Sequence, residues 1–119
     1  MYEYKAKVLS VYDGDTMRVD IQLGFNMMLR NQRVRLAGID TPEVRGDTRE
    51  EGLRVRDHVR SLVLNKVVII RTHKDKAGKY GRWIAHIYYP PKGTLTGETV
   101  EGLNHLNGEL VFEGMAVVM

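Results

Sequence analysis

Eleven residues, Arg33-Val-Arg-Leu-Ala-Gly-Ile-Asp-Thr-Pro-Glu43, set two arginines and two carboxylates around a forced change of chain direction. Val34 and Leu36 alternate with Arg33 and Arg35, so a strand here buries the apolar pair and sends both guanidinium groups to the other face. Pro42 removes a backbone donor and holds Thr41 extended, which stops the strand and leaves Asp40 and Glu43 at its mouth. Carboxylates and guanidinium groups that converge can hold an oxygen-liking cation, activate a water and neutralise a phosphate. Those are the components of metal-assisted phosphodiester hydrolysis. A plain turn with solvated charges has the same local composition, so the stretch has to be weighed with the rest of the chain.

Upstream, Asp13-Gly-Asp-Thr16 places Asp15 at a turn. Brought together, Asp15 and Asp40 repel one another unless a cation sits between them, and the backbone carbonyl of Thr41 can add a third hard oxygen donor. Read alone, Asp-Gly-Asp-Thr is more often an ordinary turn than a metal site. Glu43, just past these groups, is placed to act as general base on a water facing the phosphorus. Arg35 and Arg82 offer planar, bidentate donors that suit phosphoryl oxygens, although Arg82, between Gly81 and Trp83, also fits a surface arginine stacked on a ring.

Taken together, Val11-Tyr-Asp-Gly-Asp-Thr16, Arg35-x4-Asp40-Thr41-x-Glu43 and Lys79-Tyr-Gly-Arg82 resemble, in order and approximate spacing, the three signature blocks of the staphylococcal nuclease family. The resemblance runs from about Lys5 to the last residue. It implies calcium held by Asp15, Asp40 and Thr41, catalysis by Arg35, Glu43 and Arg82, and contacts from Lys79 and Tyr80 to a nucleotide phosphate. It also implies cleavage of DNA and RNA, single-stranded or locally melted, between phosphorus and the 5′ oxygen, leaving 3′-phosphate ends. Two departures stand out. The segment between Asp15 and Arg35 is longer than in the secreted type member. That member's tyrosine pair and third helix would fall past Met119, so the resemblance here implies binding that leans on phosphate contacts more than on stacking. The alternative is a catalytically inactive module of the same family that binds nucleic acid or protein. Such modules usually lack several site residues, whereas Asp15, Arg35, Asp40, Thr41, Glu43 and Arg82 are all present.

The elements that must position these groups follow from periodicity. Residues 4–12 are β-rich, with Ala6 and Val8 expected on one face and Leu9 and Val11 on the other; after the Asp13-Gly14 turn, residues 17–23 alternate cleanly, Met17, Val19, Ile21 and Leu23 inward. Residues 24–31 read as a loop or a distorted extension before the Arg33 strand, and Phe25, Met27, Met28 and Leu29 are expected to pack. A helix is predicted over residues 48–64, opened by a Thr48/Glu51 capping box, with Val55, Val59, Leu62 and Val63 on its buried face and Asn65 at its close. Residues 66–72 and 82–89 read as strands joined by a basic tip at 73–80, and a short helix at 106–113 stops at Gly114. Five strands with a helix between the third and fourth make a small α+β barrel. The resemblance narrows this to a mainly β OB-fold, a five-stranded Greek-key barrel with packed helices.

Composition sets the outer bounds. A chain of 119 residues, 43% hydrophobic and 28% charged, has room for one core, so a single domain over 1–119 is expected. Net charge is +3, compatible with a basic face. There is no cysteine, hence no disulfide framework and no thiolate metal site. His58, His73, His86 and His105 lack paired ligand spacing and read as structural or surface residues. No run approaches membrane-spanning length, and Met1-Tyr-Glu-Tyr-Lys has no apolar leader, so neither signal peptide nor anchor is expected. The compartment stays open, and a monomer is the default.

Overall fold

The computed structural model describes residues 2–73 and 81–119. Strand β1 (Tyr2–Asp13) pairs with two neighbours, antiparallel to β5 (Val67–Thr72) through its first half and to β2 (Thr16–Gly24) through its second. Serving both neighbours requires a bend. It is supplied by a register shift between Val8 and Ser10, the extra residue of a β-bulge. Here the period-two expectation fails: Val8 and Val11 are both buried and Leu9 is exposed, because the shift returns Val11 to the core face.

Next to β2 lies β3 (Met27–Leu36), and β6 (Trp83–Tyr89) follows β5. Val34, Arg35 and Leu36 of β3 pair in parallel with Trp83, Ile84 and Ala85 of β6, which closes the sheet on itself. The result is the five-stranded barrel of an OB-fold, β1-β2-β3-β6-β5, with helices packed against it. Three short strands complete the described structure. β4 (Ile39–Asp40) pairs with β8 (Val117–Val118), and β7 (Asn104–His105) extends the sheet beyond β6.

Helix α1 (Arg49–Val63) buries Gly52, Val55, Val59 and Val63 at helical spacing, while Leu62 is only partly covered. The expected capping box does not form. Thr48 already has near-helical backbone angles, and its hydroxyl turns back to donate to the carbonyls of Glu43 (2.9 Å) and Arg45 (3.3 Å). A 3₁₀ turn at Gly46–Thr48 thus leads into the helix, and the threonine fixes the loop after Glu43 instead of the helix N–H groups. At the other end Asn65 adopts φ 63°, a left-handed conformation that ends the helix, and its N–H reaches the Val8 carbonyl. Helix α2 (Leu106–Phe112) buries Leu106 and Leu110 and stops before Gly114 at φ 74°.

Of the two forms expected for residues 24–31, the structure takes the extension. Phe25 and Asn26, at φ 53° and 60°, form a two-residue turn, and Gly24 pairs with Met27 to close a long β2–β3 hairpin. Phe25 is 98% exposed and Met27 60%, so these apolar residues stand in solvent rather than packing as expected.

On β6 and β7, His86 Nδ1 and His105 Nε2 lie 2.9 Å apart, and the His105 ring stacks on Tyr88. Only one of the two facing nitrogens can carry the shared hydrogen, so the pair is built for neutral imidazoles. Burial holds both below the usual histidine range. His86 is lowered further by the charges of His105, His73 and Arg71; His105 is lowered by Arg71 and raised by Glu109. As pH falls below the ordinary histidine value, the unfolded chain therefore binds protons first. Stability is full above that value and declines as pH drops toward the folded values. Urea melts at pH 7.5 and 5.5 are expected to show a larger acid loss for the native protein than for His105→Gln; equal losses would remove the pair from the account.

Candidate active site

The tight β1–β2 turn is what brings the first carboxylate inward. A Cβ on Gly14 would come within 2.6 Å of Val55 Cγ1 and 3.0 Å of the Thr41 side chain, so only glycine lets this turn pack between α1 and Thr41. Thr16 then pairs with Arg35 across β2 and β3, and the Leu36 N–H donates to the Asp15 carbonyl at 2.9 Å. Asp15 and Arg35 are thereby neighbours by register.

Asp15 is 5% exposed and fully engaged. Its Oδ1 accepts from the Thr16 hydroxyl (3.1 Å), and its Oδ2 accepts from the Thr41 N–H (3.0 Å) and pairs with Arg35 Nη1 (3.0 Å). Arg35 Nη2 reaches Asp40 Oδ1 at 3.2 Å, so one guanidinium bridges both carboxylates and relieves the repulsion the sequence anticipated between them. Asp40 is held by the β4–β8 pairing, and Met119 Sδ lies 3.7 Å from the same Arg35 nitrogen. Burial pushes the Asp15 carboxyl upward, but the hydrogen bonds from Asp13 and the Thr41 N–H, with the Arg35 charge, outweigh it and hold Asp15 below the usual range. Asp13 moves the other way. Burial, then hydrogen bonding to Asp15 and its charge, push it up to about 6.

The donor set suits a hard cation. It comprises two carboxylates and a threonine whose buried hydroxyl has no hydrogen-bond partner among the described residues. Among those residues no group of three histidine, aspartate or glutamate side chains converges on one point. Any ion here has few protein ligands.

Glu43 stands apart from this network. Its carboxylate is exposed and paired with Arg45 Nε at 3.0 Å, and it lines a cavity of about 120 Å³ with Tyr12, Asp13, Val44 and Arg45. Its backbone is held firmly. Gly52 of α1 packs so closely that an added Cβ would overlap the Glu43 carbonyl and lie 2.9 Å from that of Pro42. Gly52→Ala would gain about 1 kcal/mol of helix propensity, yet it is expected to destabilise by about 1–3 kcal/mol because rigid backbone has to move. A thermal melt no lower than that of the native protein would refute the close packing as a constraint.

Arg82 precedes β6 and lines a groove of about 650 Å³ that also includes Arg18, Arg33, Arg56, Arg60 and Asp13. The structure thus brings Asp15, Arg35, Asp40 and Thr41 into one network and sets Glu43 and Arg82 in two neighbouring cavities that share Asp13. Lys79 and Tyr80 lie outside the described residues. Asp13 had been given no role from sequence. The signal was present in its spacing from Asp15, but the consequence of that spacing depends on burial. Trp83 is buried and donates its indole N–H to Gln32 Oε1 at 3.1 Å.

Sequence comparison agrees with this architecture. Residues 33–119 match the family described as staphylococcal nuclease homologue. The chain is 29% identical over 117 residues to a thermonuclease of Staphylococcus hyicus, an alignment covering 96% of this chain and 59% of that protein. It is 32% identical over 123 aligned positions to an uncharacterised protein of Methanocaldococcus jannaschii, covering 86% and 56% respectively. The chain belongs to the family of staphylococcal nuclease homologues, and it spans less than two thirds of the length of these two relatives. The matched region holds Arg35, Asp40, Thr41, Glu43 and Arg82, with Asp13 and Asp15 ahead of it. No helix among the described residues is long and apolar enough to cross a membrane.

Proposed function

We propose that residues 1–119 form one nuclease domain that hydrolyses DNA and RNA, single-stranded or locally melted, in a calcium-dependent manner and leaves 3′-phosphate ends. The observation that carries this reading is the Arg35 guanidinium bridging Asp15 and Asp40, with the Thr41 N–H on the same buried carboxylate. Asp15, Asp40 and Thr41 would hold the calcium. When bound, it supplies positive charge that neutralises the phosphoryl oxygens and the two carboxylates together. Arg35, whose two Nη atoms pair with Asp15 and Asp40 in the free protein, would turn that fork of donors to the phosphate once the two carboxylates are otherwise neutralised, and Arg82 would present a second from the adjoining groove. Glu43 accepts a proton of the attacking water as the oxygen–phosphorus bond forms, and the 5′ oxygen leaves with the electron pair of the broken bond and takes a proton from solvent. To do so it leaves Arg45, and an exposed ion pair of this kind holds only weakly.

A second reading has one observation in its favour. Glu43 faces Arg45 rather than the Asp15–Asp40 pair, as it would in a module that binds nucleic acid or protein without cutting it. Hydrolysis of a labelled oligonucleotide separates the two. Calcium is expected to support cleavage, chelator to abolish it, and magnesium to support at most about a tenth of the calcium rate, since magnesium demands strict octahedral geometry and gives up water reluctantly. Full activity in magnesium alone would overturn the metal assignment, and no cleavage in any metal would favour the binding module.

A further inference from the structure

We propose that Arg18 and Arg33, beside Arg82, form a second phosphate subsite that holds the nucleic-acid backbone away from the scissile bond; that the polymer is nucleic acid rests on the nuclease reading. Arg18 and Arg33 are direct partners across β2 and β3. Their chain neighbours Met17, Val19 and Val34 are buried, so both guanidinium groups lie on the outer face of the barrel. Like charges directly opposite one another destabilise a sheet, and ordinary packing gives no reason to keep them there. An anion between them turns the repulsion into attraction.

Neither arginine is neutralised from within. Arg18 Nη1 contacts only the carbonyl (3.3 Å) and side-chain oxygen (3.4 Å) of Asn31, and the Arg33 guanidinium makes no hydrogen bond or ion pair among the described residues. The nearby Asp20 carboxylate accepts the Asn31 N–H at 2.8 Å, which anchors the hairpin backbone that in turn steadies Arg18. Elsewhere in the groove, Arg56 pairs with Asp57 at 3.0 Å, and Arg60 lies 4.0 Å from the same carboxylate while donating to the neutral Val11 carbonyl at 2.9 and 3.2 Å. Arg18 and Arg33, at the hairpin end, are in no ion pair among the described residues. Among the described residues Asp13 is the only carboxylate in the lining, and its Oδ1 accepts the Asp15 N–H at 3.3 Å, so the groove adjoins the proposed reaction centre at that end. A strand whose scissile phosphate sits at Arg35 can lay a neighbouring phosphate on Arg18 and Arg33.

The test is anisotropy of a labelled single-stranded DNA of about a dozen nucleotides, in chelator, across a series of salt concentrations. Each phosphate neutralised on a single strand adds about 0.7 to the slope of log affinity against log salt. Arg18→Ala/Arg33→Ala is expected to weaken binding at low salt at least about tenfold and to lower that slope by about 0.7, one phosphate's share, while Arg18→Lys/Arg33→Lys keeps the slope. The alanine variant is also expected to melt no lower than the native protein, because a repulsive pair has been removed. Unchanged affinity and slope, no binding by the native protein, or a slope loss that comes with a lower melting temperature and persists in the lysine variant would each overturn the subsite. Chelator stops turnover without touching these arginines, so a protein that never cleaves nucleic acid yet shows the slope change would refute hydrolysis and retain the subsite.

Discussion

Arg35→Ala is expected to lose at least about a hundredfold in turnover and, unlike a simple phosphate clamp, to lose stability as well. The activity loss follows because a guanidinium that meets a phosphate in the transition state contributes mainly to turnover. The stability loss follows from the site as built. Asp15 is almost fully buried, and Arg35 is its only cationic partner among the described residues, so truncation leaves a buried carboxylate beside Asp13 and Asp40 without compensation. Breaking one side of a buried ion pair typically costs about 3–5 kcal/mol. Calcium should restore part of this, since a cation between Asp15 and Asp40 does electrostatically what the guanidinium did. Arg35→Lys separates the two effects. A lysine keeps the charge without the planar fork, so it is expected to recover more stability than activity. Urea melts with and without calcium, read beside single-turnover rates, check both; a folded Arg35→Ala protein with near-native turnover would remove this residue from the mechanism.

Glu43→Gln is expected to show the opposite division. Its carboxylate is exposed and among the described residues pairs only with Arg45, so the melting temperature should stay within about two degrees of the native value. Turnover should nonetheless fall at least about a hundredfold, because the amide cannot accept the proton of the attacking water. A rate within a factor of about three of native, in a variant that still binds oligonucleotide, would mean that another group is the base. Asp13 would then be the first candidate to examine, since it lines the same cavity and is pushed up to about 6.

The barrel strands were legible because alternation of Met17, Val19 and Ile21, and of Val34 with Leu36, is a local property that survives into the fold. Helix α1 was legible for the same reason. What failed depended on distant partners. The bulge after Val8 exists because β1 must serve two neighbours, and nothing in the local sequence announces it. The Phe25-Asn26 turn lacks the central glycine that usually marks such a hairpin, so loop and extension could not be told apart and the exposed apolar residues read as packing. β4, β7 and β8 have two residues each, too few for any period. Thr48 carried the capping signature but is used by the Glu43 carbonyl instead.

The candidate site divides along the same line. Asp15, Arg35, Asp40 and Thr41 could be named from residue type and order, and strand register brings them together. That Arg35 would bridge both carboxylates, and that Asp13 would share their electrostatics, follows from burial and could not be read from spacing. The arginine groove was hidden for a further reason. Arg18, Arg33, Arg60 and Arg82 are scattered along the sequence as outward-facing or interrupting residues, and only closure of β3 onto β6 collects them.

The central claim, that this site breaks the bond between phosphorus and the 5′ oxygen, is tested most directly by the chemistry of the product ends. Single-stranded DNA and RNA oligomers incubated with the protein and calcium, then analysed by mass spectrometry, are expected to yield fragments carrying 3′-phosphate and 5′-hydroxyl ends, with none formed in chelator or by Glu43→Gln. Intact oligomers in calcium, or fragments with 5′-phosphate ends, would contradict the account.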